Sequence, residues 1–358
     1  MGKTCPLNYN PADFFISTLA IKPGEEEESL AFTRQICDTF EQSEDMRSIE
    51  EAVKNNMSSD NVQEDDLKKK RKRRSPYKAT RFQQFKALLT RVFLELAREP
   101  MLVRIQIVQS IMVALIVGLI YLDTSGEYTA TSVQNINGVL FIFLSNISFS
   151  GTFGVVNTFC EQIPIFLREH LSGMYRCDTF FITKNIAELP MAIFMPFLFT
   201  AICYFLVNLN RDVSAFFTII GVMILCGNVG YSFGYLISCL APNLAMALNI
   251  AAPLLIPFML FGGYFLNPDT IPPYFIWLRY ISWFNYGFEA LAIAQWKDIT
   301  YINCTIPLNC EPTGVQVITD LGYDPDNLGF DFALLVVLLV AYRFLAYLLL
   351  LRRAYVGL

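Results

Sequence analysis

The sequence predicts a mainly α, polytopic membrane protein with six transmembrane helices. Three observations carry this expectation: an apolar composition, six long apolar segments, and cations gathered before the first segment, in the second connection and after the last. Of the 358 residues, 54% are hydrophobic and 16% charged, and the mean hydropathy is +0.41. Soluble domains carry about 25% charged residues, so a chain this apolar is expected to sit in lipid. Most of the charge lies in residues 1–99, so the net charge of −5 says little about partners.

Residues 1–76 read as the edge of a domain plus a tether. They hold an acidic run (Glu25 to Glu28), a helical-looking stretch from Ser29 to Lys54 and a Ser/Asn/Asp-rich linker from Asn55 to Asp66. Seven consecutive cations, Lys68 to Arg74, follow. They suit either a solvated run or attraction to an anionic inner leaflet, worth about 1 kcal/mol per cation near the surface. With membrane segments downstream, the second reading is preferred. Over residues 77–100, Phe82, Phe85, Leu88, Leu89, Val92, Phe93 and Leu96 recur at steps of three and four, while Arg81, Lys86, Arg91 and Arg98 fill the other face. This pattern predicts an amphipathic connecting helix lying at the membrane surface, with an ordinary soluble amphipathic helix as the alternative. Pro100 ends it.

Residues 101–358 form the expected six-helix membrane domain. The spans are Met101 to Leu122, Ile136 to Phe159, Phe180 to Val207, Ala215 to Leu240, Ala245 to Leu266 and Phe332 to Leu351. Each reaches the ~20 residues that cross ~30 Å of hydrocarbon. Lys and Arg in short flanking loops mark the cytosolic side. The basic run, the loop with Arg168, Arg176 and Lys184, and the tail Arg352-Arg353 therefore fall in the cytosol, whereas Asp123 to Gln134 lacks Lys and Arg and falls outside. Both termini become cytosolic. The long loop 267–331 is then external, where Asn303-Cys304-Thr305 offers a glycosylation acceptor at Asn303 and an oxidising compartment would let Cys304 and Cys310 pair. Asn146-Ile147-Ser148 has the same acceptor pattern but lies inside a span. The aromatic stretch Pro273 to Trp296 is expected to dip into the outer interface.

No HExxH or CxxC pattern is present, and the lone histidine, His170, has no cysteine at ligand spacing. No metal site is expected. Gly2-Lys3-Thr4 imitates the end of a phosphate loop without its upstream glycine. Function is instead sought in polar groups within the spans. Asn135, Asn137, Ser145, Asn146, Ser148 and Ser150 mark the second span, and they suit a bundle interior or a water-filled path. Pro253 and Pro257 permit a kink or flexing in the fifth, and Gly230, Gly234 and Ser238 permit close helix contact in the fourth. Arg343, midway along the last span, is expected to snorkel or to pair inside the bundle.

Several stretches resemble the G subfamily of ABC transporters, the white/scarlet/brown group. They are Cys5-Pro6 with Asn8 to Phe15, Phe166-Leu167-Arg168-Glu169, Tyr175 to Phe181, Ala187-Glu188-Leu189-Pro190, Ser232 to Cys239 and Leu260 to Asn267. The resemblance runs through nearly the whole chain. It implies a half-transporter that pairs with a second ABC-G half-transporter, as a homo- or heterodimer, in a lipid bilayer. The cargo it implies is a small organic molecule, such as a tryptophan metabolite or guanine, in a plasma or pigment-granule membrane. A sterol or lipid exporter of the same family and a motor-less regulatory partner are the alternatives, and nucleic acid is not an expected partner. The resemblance further implies a central cavity at the dimer axis, lined by the second and fifth spans with Asn146, Phe149, Ile256 and Met259 as contacts, and an apolar plug above it at Tyr264-Phe265 where the family often has paired leucines. It also implies coupling to the ATPase domain through Arg168, Glu169 and Arg176. The chain begins after the place of the family's Walker A, signature and Walker B sequences, so residues 1–76 would hold the end of that domain. A fragment is the expectation, with loss of the motor as the alternative. No cofactor is expected on this chain, ATP and Mg²⁺ belonging to the nucleotide-binding domain.

Overall fold

The computed structural model describes residues 5–6, 10–21, 24, 26–54, 77, 79–98, 101–122, 129–266, 272–302 and 313–356. The chain divides into two units, Met1–Ser75 and Pro76–Leu358. The first carries α1 (Pro11–Leu19), α2 (Glu26–Glu41) and α3 (44–54). The Asn10 side chain accepts from the Ala12 amide at 3.1 Å and Pro11 opens the helix, a paired start signal for α1. Glu26, Glu27 and Glu28 occupy the first turn of α2, where the helix dipole favours anions.

The second unit holds α4 (Arg81–Arg98), α5 (Met101–Ile120), α6 (Ala130–Leu171), α7 (Cys177–Val207), α8 (Val213–Leu240), α9 (Leu244–Leu260), α10 (Ile276–Ile281), α11 (Trp283–Trp296), α12 (Gly314–Asp320) and α13 (Leu328–Val356). Five of these, α5, α6, α7, α8 and α13, are long and apolar enough to cross a membrane, so the fold is that of a helical integral membrane protein. The shorter α9 occupies the expected fifth span but stops at Leu260, at 17 residues. Its end is set by Gly262-Gly263: Gly263 has φ +85°, and a β-carbon there would overlap the Tyr323 hydroxyl, so only glycine fits.

Local sequence fixes the other ends. Thr129 and Ser132 form a reciprocal capping box at the start of α6. Asp212 caps α8 through Ser214 N at 3.1 Å, Asn243 caps α9 through Met246 N at 2.9 Å, and Asn208 closes α7 in the left-handed conformation. With 42 residues, α6 is about 63 Å long, so it carries the chain well past the hydrocarbon and into the connection with α7.

The core is built around α8, which packs on α6, α13, α7 and α11. The small-residue stripe works within the chain. A β-carbon on Gly230 would stand 2.9 Å from the Ser148 carbonyl oxygen, one on Gly234 2.8 Å from that of Thr152, and the Thr152 hydroxyl donates to Gly230 O at 3.0 Å. By contrast, α5 packs on α7 and stands off from α6.

The aromatic stretch 273–296 divides. Tyr274, Trp277 and Tyr280 are exposed, as an interfacial segment would be, but α11 is buried almost whole. The reason is polar satisfaction: Trp283 Nε1 donates to Ser148 Oγ at 3.0 Å and Trp296 Nε1 to Asn137 Oδ1 at 2.8 Å, which threads α11 alongside α6.

Candidate functional site

Two polar features stand out in the second unit. The first ties α4 to the connection between α6 and α7. The amphipathic α4 presses Leu88 into a cluster that contains Phe159, Ile163, Phe166 and Tyr175. Its outer face then supplies Arg91, whose Nη1 donates to both oxygens of Glu169 at 2.8 and 2.9 Å, while the Tyr175 hydroxyl donates to the same carboxylate at 2.5 Å. Burial and that carboxylate push the Tyr175 phenol well above its usual pKa, so it stays a donor. The Arg176 amide donates to Gln84 Oε1 at 3.3 Å, and its guanidinium lies 5.3 Å from the Tyr77 ring centroid. Glu169 and Arg176 thus make one clamp, and Arg168 faces outward, exposed. Phe166 stacks on Phe180 at 4.4 Å and on His170 at 5.5 Å, so the ring cluster stiffens the joint.

The second feature is a groove of about 260 Å³ between α5, α6 and α7, closed at its base by Tyr231 of α8 and reached by Val92 and Glu95 of α4. Apolar walls come from Val113, Ile147, Met191, Met195 and Phe199. Against them stand Gln106, Gln109 and Ser110 of α5 and Asn146, Ser150, Thr158 and Gln162 of α6. The side chains of Gln106, Gln109, Asn146, Ser150 and Gln162 make no hydrogen bond among the described residues. Such groups are costly in hydrocarbon without a polar partner.

Lys184 and Glu188, one helical turn apart on α7, form the remaining wall. Lys184 Nζ lies 2.8 Å from Glu188 Oε1, and the Tyr235 hydroxyl donates to Glu188 Oε2. Lys184, read from sequence as a loop cation, is instead buried within α7, because Glu188 pairs with it there. Arg343 fulfils the expectation of pairing: Nε donates to Ser232 Oγ at 3.1 Å and Nη2 to Asn228 Oδ1 at 3.3 Å.

The four expected cavity residues are not gathered. Asn146 lines the groove, whereas Phe149 faces Phe153 at 6.2 Å, Met259 rests half-buried on the core, and Ile256 is 45% exposed on α9. Phe149 lies on the α6 face beside the one that lines the groove, and α9 contributes nothing to that lining, so one chain alone does not close a cavity from these residues. At the expected plug, Tyr264 stacks on Phe141 at 5.0 Å and Phe265 meets the same ring edge-on at 5.0 Å. Asn303, Cys304 and Cys310 lie outside the described residues. Among the described residues no cluster of three or more His, Cys, Asp or Glu could hold a metal. Sequence reasoning passed over Gln106, Gln109 and the Lys184/Glu188 pair, although two glutamines three apart in an apolar span and an i, i+4 ion pair were visible signals.

Clamp and groove both fall largely inside a recognised family segment. The family described as ABC-2 type transporter matches residues 83–296. This chain belongs to the ABC-2 type transporter family. Its similarity extends further, to the white/scarlet group that the sequence motifs indicated. It is 42% identical to protein white of Ceratitis capitata over 99% of this chain and 52% of that protein. It is 33% identical to the ABC transporter ATP-binding protein/permease wht-1 of Caenorhabditis elegans over 99% of the chain and 54% of that protein. With protein scarlet of Drosophila melanogaster it shares 30% identity over 99% of the chain and 53% of that protein. The chain spans about half the length of these relatives.

Proposed function

We propose that this ABC-2 chain is the membrane half of an ATP-driven half-transporter, which pairs with a second ABC-G half-transporter and moves small organic molecules across a bilayer. The observation that carries the reading is the groove, where unpartnered carboxamides face apolar walls inside membrane-spanning helices. Such a lining suits a compact cargo with both donors and acceptors, as heteroaromatic pigment precursors are, better than a sterol. The resemblance of the sequence motifs to the white/scarlet/brown group implies the same choice. ATP and Mg²⁺ act at nucleotide-binding domains, and the clamp of Arg91, Glu169, Tyr175 and Arg176 passes their closure to α6 and α7. Both termini face the cytosol, the plug lies on the far side, and the membrane is that of the cell surface or a pigment granule.

Vesicles that contain the chain with an ABC-G partner should take up labelled guanine or a tryptophan metabolite only with ATP. Asn146→Ala and Gln109→Ala should each lower that uptake. Equal uptake without nucleotide would remove the pump reading, and uptake of a labelled sterol alone would select the lipid exporter.

A further inference from the structure

Away from clamp and groove, two carboxyl groups are buried where α11, the first turn of α13 and the plug segment meet. Asp331 is 0% exposed, and neither of its oxygens has a hydrogen-bond partner among the described residues. Glu289 of α11 is 6% exposed and accepts one long bond, from Asn327 Nδ2 at 3.4 Å, together with the backbone at Asp324. Several charged or titratable groups face this pair. Tyr286 comes from α11, Arg279 from α10, Tyr323 and Asp324 from the segment before α13, and Cys226 from α8. Among the described residues facing the pair, Arg279 is the cation, and its Nε donates to Asn285 Oδ1 at 3.1 Å.

Two carboxyl groups buried at one junction, without a bound counter-charge, cannot both be carried as anions. The start of α13 favours an anion through its dipole, but desolvation at zero exposure outweighs that surface-scale effect. We propose that Asp331 and Glu289 form a proton-binding site that locks the plug segment in place. Ionisation releases the proton to water and leaves two facing carboxylates, which repel α13 from α11.

The mechanical link is direct. Tyr323, in the segment between α12 and α13, donates its hydroxyl to Gly262 O at 3.3 Å and fills the space beside Gly263. Phe288, the neighbour of Glu289, meets Tyr264 edge-on at 5.7 Å and Tyr323 at 6.1 Å. Separation of α11 from α13 therefore pulls both supports from under Tyr264 and Phe265. The gating consequence rests on the transporter reading, whereas the proton site does not.

The test is hydrogen exchange on the assembled transporter in lipid nanodiscs, read in peptides covering 262–266 and 283–296 and corrected for the intrinsic effect of pH. Protection of both should fall roughly fivefold in the wild type between about pH 5.5 and about pH 8.5, because the locked state binds the extra proton. Asp331→Asn, which mimics the neutral acid, should match the wild type at the lower pH and lose most of the fall, and Glu289→Gln should do the same. An equal fall in wild type and Asp331→Asn would overturn the proposal, as would loss of protection in Asp331→Asn already at the lower pH. Recovery of protection at high pH on adding Na⁺ or Ca²⁺ would assign the pair to a cation instead. If these peptides respond as expected but uptake is insensitive to either variant, the proton site stands and only its gating role falls.

Discussion

Two helices of this chain are equally apolar and meet opposite fates. The most apolar window of α5 has a mean hydropathy of 2.1 and that of α8 has 2.0, yet 11% of the first and 56% of the second is buried in protein. Hydropathy therefore tells which segments enter lipid and not which of them form the core. What separates the two is small and polar residues at helix spacing. Gly230 and Gly234 let α8 reach the backbone of α6, Gly227 makes room for the Ile147 and Pro196 side chains, and Asn228 and Ser232 give Arg343 its partners. On α5, Gly118 lies against the Leu206 side chain and the Ala114 carbonyl accepts from Cys203 Sγ at 3.5 Å, so one face is fastened to α7. That one-sided attachment leaves the space in which the groove forms.

Substitutions sharpen the contrast. Gly230→Leu should be the most damaging, because its added carbons meet the backbone of α6, which cannot step aside; a loss of about 3 kcal/mol or more should appear as failed thermal stability in detergent. Arg343→Met leaves Asn228 Oδ1 and Ser232 Oγ short of a buried donor and should cost roughly 1–3 kcal/mol, read in the same assay. Arg91→Ala breaks a half-exposed ion pair and should change stability by no more than about 1 kcal/mol, yet ATP-driven uptake should drop sharply, since it cuts the clamp. Ile116→Ala on the outward face of α5 should stay within about 0.5 kcal/mol and leave uptake unchanged. Should Ile116→Ala prove as harmful as Gly230→Leu, the contrast between the two helices would not hold.

Much of this was legible in the sequence because it depends on local pattern. The steps from Phe82 to Leu96 placed α4 within a few residues, and the spans through α5, α7, α8 and α13 emerged from apolar length. Motif resemblance singled out Glu169 and Arg176, and the structure gives them partners 78 and 92 residues away on α4. Features that depend on such distant partners were harder to read. Asn285, Glu289 and Gln295 dilute the apolar character of α11, so it reads as loop until Ser148 and Asn137 supply bonds to its tryptophans. The end of α9 at Leu260 depends on Tyr323, and the burial of Lys184 depends on Glu188 together with the packing of α8. The groove arises where α5 stands off from α6, and no periodicity within either helix records such a gap.

The central claim is that cargo passes through that gap. It is tested most directly by introducing Ser110→Cys on the groove wall and Val108→Cys on the outward face of α5, then treating each with N-ethylmaleimide in transporting vesicles. The account predicts that the adduct at position 110 stops ATP-dependent uptake while that at 108 leaves it at the level of the treated parent. Full uptake with position 110 completely labelled would contradict it.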